Sequence, residues 1–68
     1  MKNFSKRLKV LREEKGWSQT ELANLLYFDP STISKYESGD VLPSLSALEK
    51  IAKFFNVKVH YLIGFDVW

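Results

Sequence analysis

Pro30, Ser31, Thr32, Ser34 and Lys35 are the residues whose types and spacing can do chemistry. Asp29 is an N-cap whose oxygen can accept a backbone amide, and Pro30 at the first helical position gives up an N–H that has no partner there anyway. The residues that follow show short polar side chains on one face of a short helix. Hydroxyls and a single ammonium near a helix N-terminus suit the base edges in the major groove of DNA. Lys35 can take guanine O6 and N7. Ser31 and Ser34 can donate or accept and so discriminate weakly. Thr32 offers its methyl to a thymine methyl, or its hydroxyl to a phosphate. The plainer reading is that Ser31 and Thr32 only decorate a helix start, where such residues are common.

A reading face needs a frame, and residues 19–38 supply one: two short helices joined by a tight corner. Ser18 with Glu21 three residues on is a capping box that opens the first. Leu22, Leu25 and Leu26 give it a buried side. Ala23 is small enough for the second helix to cross closely. Tyr27-Phe28-Asp29 forms the turn, with Phe28 pointing inward as its plug. Ile33 and Tyr36 face inward from the second helix, and Gly39 stops it. This is the spacing of a helix-turn-helix, in which the second helix enters the groove.

Three further helices are expected around the pair. The first runs from about Phe4 to Lys15, with Phe4, Leu8 and Leu11 on one face, Gly16 closing it and Trp17 lying over the core. Ser44 caps another at about 45–55, with Leu48, Ile51, Ala52 and Phe55 on one stripe and Asn56 as its left-handed cap. A short last helix at about 59–63 returns Leu62 and Ile63 to the core. The one β-like run, Val57 to Tyr61, is too short to find a partner. The fold class is therefore all-α: one compact five-helix domain over 1–68, with an apolar tail at 64–68.

Composition bounds the function. With 68 residues, no cysteine and one histidine, His60, the chain offers no disulfide, thiolate or imidazole metal site, and no cofactor is expected. No apolar run approaches the roughly 20 residues needed to span a bilayer. The basic start has no apolar segment behind it, so a cytoplasmic protein is expected. A ligand pocket is not expected at this size, and the inventory of side chains argues against an enzyme. Net charge is +2, unevenly spread: residues 1–15 hold six Lys or Arg against two Glu, and residues 16–46 hold one Lys against four acids. The basic first helix can face phosphate, or be simply a solvated face.

Ser18-Gln19, Leu22-Ala23, Ile33-Ser34, Tyr36-Glu37, Gly39, Pro43-Ser44 and Ile51-Ala52, in this register, resemble the lambda-repressor-like, Cro-type (XRE) helix-turn-helix family. The resemblance spans about Phe4 to Ile63. It implies a regulator that binds operator DNA, usually as a homodimer. It implies that Gln19 bonds a backbone phosphate, aided by the helix N-terminus; plain capping is the alternative there and at Ser44. Ser18, Lys9 and Arg12 complete the expected phosphate set. The resemblance also implies that Arg12 pairs with Glu37 and so supports the recognition helix together with Ala23 and Phe28. The sequence departs from the pattern at Tyr27, where the turn usually has glycine, and at Asp40, in a loop that often carries a cation. Phe54 with Phe65, Val67 and Trp68 offers an apolar patch for a second subunit, or a tail that folds over its own core. A rival to the DNA-binding reading is a protein-interaction module or antitoxin of the same fold.

Overall fold

The structure, a computed structural model, describes residues 2–64. It contains, in chain order, α1 (Lys2–Glu14), α2 (Gln19–Leu26), α3 (Pro30–Ser38), α4 (Leu45–Phe55) and α5 (Val59–Ile63). No strand occurs among the described residues; the β-like run splits into a two-residue connection and the start of α5. α1 starts two residues before the expected Phe4 and ends one before Lys15. Phe65, Val67 and Trp68 lie outside the described residues.

Local chemistry sets the boundaries. Ser18 Oγ accepts from the Glu21 amide at 3.0 Å while the Glu21 carboxylate accepts from the Ser18 amide at 2.8 Å. The Ser18 amide foremost, and then the Ser18 hydroxyl, hold the Glu21 carboxyl below its ordinary pKa. Asp29 caps α3 and Ser44 caps α4, the latter through its hydroxyl and the Ala47 amide at 3.1 Å. Three helix ends share one closing device. The residue after the helix turns left-handed, and the next amide reaches back to a carbonyl: Phe28 to Ala23 at 2.8 Å, Asp40 to Lys35 at 3.0 Å, Val57 to Ala52 at 2.9 Å. Glycine holds the left-handed place after α3 and asparagine after α4, whereas after α2 it is Tyr27, at φ 59°. A bulky residue there costs about 1–2 kcal/mol.

One core takes side chains from every helix. Phe4, Leu8, Leu22, Leu26, Ile33, Ile51 and Leu62 are fully buried, with Ala23, Tyr36, Leu48 and Ala52 beside them. Ala23 has no exposed surface, as the close crossing of α2 and α3 requires. Leu25 departs from expectation: it is 45% exposed. The inward stripe of α2 is Leu22, Ala23 and Leu26, which leaves Leu25 at its edge, where it lines a shallow surface groove with Trp17, Glu21 and Asn24. Trp17 is half-buried and packs on Phe54 and Phe55, at centroid distances of 5.6 and 6.2 Å. α1 is fastened to α5 by Arg7, whose guanidinium lies 4.4 Å from the Tyr61 ring centre and donates to the Tyr61 carbonyl.

Candidate nucleic-acid interface

α3 is half embedded. Ile33 and Tyr36 anchor it, Tyr36 edge-on to both Phe4 and Phe28. Pro30, Ser31, Ser34 and Lys35 are exposed, and Thr32 is half-buried. The five residues therefore share one helix, four of them open to solvent.

The N-terminus of α3 is already engaged. Asp29 Oδ1 accepts from the Ser31 amide at 2.9 Å and from the Ser31 hydroxyl at 2.7 Å. These bonds, the hydroxyl's first, hold the Asp29 carboxyl below its ordinary pKa, and the charge of Lys35 adds to the effect. With its proton given to Asp29, Ser31 keeps lone pairs for accepting. It can therefore meet the N4 amine of cytosine or the N6 amine of adenine.

Behind this face lies a polar cleft lined by Lys9, Arg12, Glu13, Gln19, Ser34, Glu37 and Ser38. Its floor is an ion pair. Arg12 Nε donates to Glu37 Oε2 at 2.7 Å and Arg12 Nη2 to Glu37 Oε1 at 2.9 Å. The two side chains are only 10% and 4% exposed. Arg12 Nη1 donates to the Trp17 carbonyl at 2.7 Å, and Gln19 Nε2 donates to Glu37 Oε1 at 3.0 Å. The hydrogen bond it donates to Glu37 raises the Arg12 pKa further, so the guanidinium stays charged at every accessible pH. One carboxylate at the end of α3 thus collects donors from α1 and α2. Ser5 of α1 adds a bond to the Tyr36 carbonyl at 2.6 Å. Together these fix the direction in which α3 points.

Of the expected phosphate residues, Lys9, Arg12 and Gln19 come together in the cleft, with Ser18 adjoining as the cap of α2. Ser44, the cap of α4, is not among the residues lining that cleft. Lys9 is exposed, whereas the Arg12 guanidinium is engaged by Glu37 and Trp17. Two features had no signal in the sequence. Gln19 is tied to Glu37, and the Lys50 ammonium lies 4.9 Å from the Phe28 ring centre and 5.6 Å from that of Tyr27. Lys50 therefore covers the outer side of the half-buried Phe28, while Tyr27 is 90% exposed at the corner.

Two short helices at a tight corner, the second presenting polar side chains and braced from behind, define an all-α helix-turn-helix protein. The helix-turn-helix family model matches residues 8–62, and the chain belongs to that family, in its Cro-type (XRE) form. It is similar to the HTH-type transcriptional activator BcrR of Enterococcus faecalis, 40% identical over 61 residues that cover 90% of this chain and 30% of that protein. It is similar to the cryptic phage CTXphi transcriptional repressor RstR of Vibrio cholerae, 37% identical over 61 residues that cover 90% of this chain and 55% of the repressor. The HTH-type transcriptional regulator AnsR of Bacillus subtilis is 43% identical over 58 residues, 85% of this chain and 50% of that one. The chain thus spans between 30% and 55% of these relatives. All three carry the names of transcriptional regulators rather than of enzymes. No solved structure is a significant match. No helix among the described residues is long and apolar enough to cross a membrane.

Proposed function

We propose that this chain is a sequence-specific DNA-binding transcriptional regulator. It works in the cytoplasm without cofactor or small-molecule ligand, and it acts by binding rather than by catalysis. The observation that carries the reading is the exposed face of α3, held in place by the buried Arg12–Glu37 pair. A helix braced that firmly is suited to reading base edges, since loosely held side chains lose discrimination. In this reading Ser31, Thr32, Ser34 and Lys35 meet bases from a helix that Pro30 starts. Lys9 and Gln19 hold phosphate beside α1 and α2, with Ser18 and Ser44 contributing from two helix starts. A two-fold dimer sets two copies of α3 about 34 Å apart on a palindromic operator, and repression follows from blocking polymerase.

The test is selection of bound duplexes from a random pool, followed by titration of the winner over a salt series. An enriched sequence with salt-dependent affinity is the expected result; no enrichment and a flat salt response would overturn the proposal. A protein-interaction module is favoured by one observation, the ionised Asp29 beside the reading face with Asp40 beyond its far end. Lys35→Glu separates the two readings, because it abolishes operator binding but leaves a protein-binding module active.

A further inference from the structure

α5 is the shortest of the five helices. It has five residues, far below the roughly 12–15 at which a helix can hold itself in water. No side chain caps its start, and Leu62 alone among its residues is buried. Val59 and Ile63, four apart on one stripe, are only half-buried. Val59 also borders a groove of about 350 Å³ whose other walls are Glu49, Ala52, Lys53, Asn56 and Val57. Ala52, Val57 and Val59 make its apolar part, and the exposed Glu49, Lys53 and Asn56 make its polar rim. Gly64 ends α5 in the left-handed region at φ 88°, where a Cβ would collide with the Asn3 side chain. Glycine thus lets the chain leave α5 close against the start of α1.

We infer that residues 65–68, Phe-Asp-Val-Trp, fold back along α5 and close this groove within their own chain. Reach allows it. Val59 lies five residues before Gly64, about 8 Å along the helix, and four extended residues span about 13–14 Å. The other apolar edge, where Phe54 packs on Trp17, lies past the far end of α1. Thirteen helical residues make that end about 20 Å from the one beside Gly64. The main chain of the tail falls short of it.

The chemistry fits as well. Phe65 and Val67 share one side of an extended segment and Asp66 the other. Phe65 then covers Ile63 and Val67 covers Val59, with Asp66 in water. Trp68 enters the groove, its ring on Ala52 and Val57. Lys53 offers its ammonium to the indole face, and Glu49 or Asn56 accepts from the indole N–H, which needs a partner once covered. A separate protein would fill the groove too, but would give the three apolar residues of the tail no role.

Nuclear Overhauser contacts in the full chain test this, with two variants beside the wild type. The Trp68 ring protons are expected to contact the Val57 and Val59 methyl groups. In a mixture of labelled and unlabelled chains those contacts stay within one chain. Trp68→Ala should shift the same methyl resonances and lower the melting temperature by about 4–8 °C, whereas Asp66→Ala should do neither. Contacts from Trp68 to Trp17 or Phe54, contacts seen only between labelled and unlabelled chains, or no contact with the two valines would overturn the inference. So would a Trp68→Ala variant whose valine resonances and melting temperature match the wild type. If that variant does not fold, the wild-type contacts decide alone.

Discussion

Removing Arg12 without removing Glu37 should cost more stability than any other single polar substitution in this chain. Arg12→Met leaves a carboxylate that is 4% exposed with one neutral donor, Gln19 Nε2 at 3.0 Å. It also strips the Trp17 carbonyl of the donor it now meets at 2.7 Å. Breaking a buried pair from one side costs about 3–5 kcal/mol. A domain of 68 residues holds only about 3–10 kcal/mol in total. At about 4–8 °C per kcal/mol, a loss of 3 kcal/mol lowers the melting temperature by about 12–24 °C. Arg12→Met/Glu37→Met removes both charges and keeps the volume, so its cost should fall to about 1–2 kcal/mol, the share of the orphaned Trp17 carbonyl and Gln19 amide. Urea melts of the wild type, both singles and the double variant, followed by circular dichroism, give the coupling directly. A coupling of about 2 kcal/mol or more is expected. Additive single costs, or an Arg12→Met loss under about 1 kcal/mol, would refute the reasoning. Lys15→Met is the control: it changes an exposed charge and should weaken operator binding less than Arg12→Met does.

The corner gives a second prediction. Tyr27→Gly relieves left-handed strain but loses the Lys50 contact and loosens the unfolded chain, so it should stay within about 0.5 kcal/mol of wild type, while Tyr27→Val should cost more than about 1 kcal/mol. Equal melting points for the two would mean the corner is unstrained. Acid supplies a third. Glu21 and Asp29 are both held below the ordinary carboxylate range, so their contribution is present above pH of about 4–4.5 and is lost as pH falls through their folded values. Glu21→Gln/Asp29→Asn keeps both caps without a titrating proton and should flatten the stability profile between pH 5 and 3; an unchanged acid profile by circular dichroism contradicts this. On DNA, Lys35→Met should weaken the selected operator about 10- to 100-fold and relax preference at one base pair, as read by repeated selection. Unchanged preference would remove Lys35 from the groove.

The helices were legible because local signals set them. Ser18 with Glu21, Asp29-Pro30 and Ser44 each state a helix start within four residues, and Gly39 and Asn56 state two ends. Ile33 and Tyr36 fell inside because their spacing admits one inward face. Leu25 was misread because a three-leucine stripe on an eight-residue helix does not say which member sits at its edge. The ties of Gln19 to Glu37 and of Lys50 to Phe28 were not legible. They join residues 18 and 22 positions apart through side chains with many rotamers, and no period marks them. The Arg12–Glu37 pair is more distant still, 25 positions apart, and it was expected only because the register as a whole resembles a known family.

The central claim is that α3 reads sequence while Lys9, Gln19 and the neighbouring helix starts hold phosphate. The most direct test is an anisotropy titration of a selected duplex and its scrambled counterpart, from low to high salt. The account predicts that the selected duplex binds at least about 10³-fold more tightly. With Lys9 as the cation placed on phosphate, log affinity should fall against log salt with a slope of about −1 per subunit. Equal affinity for the two duplexes at every salt concentration would contradict it.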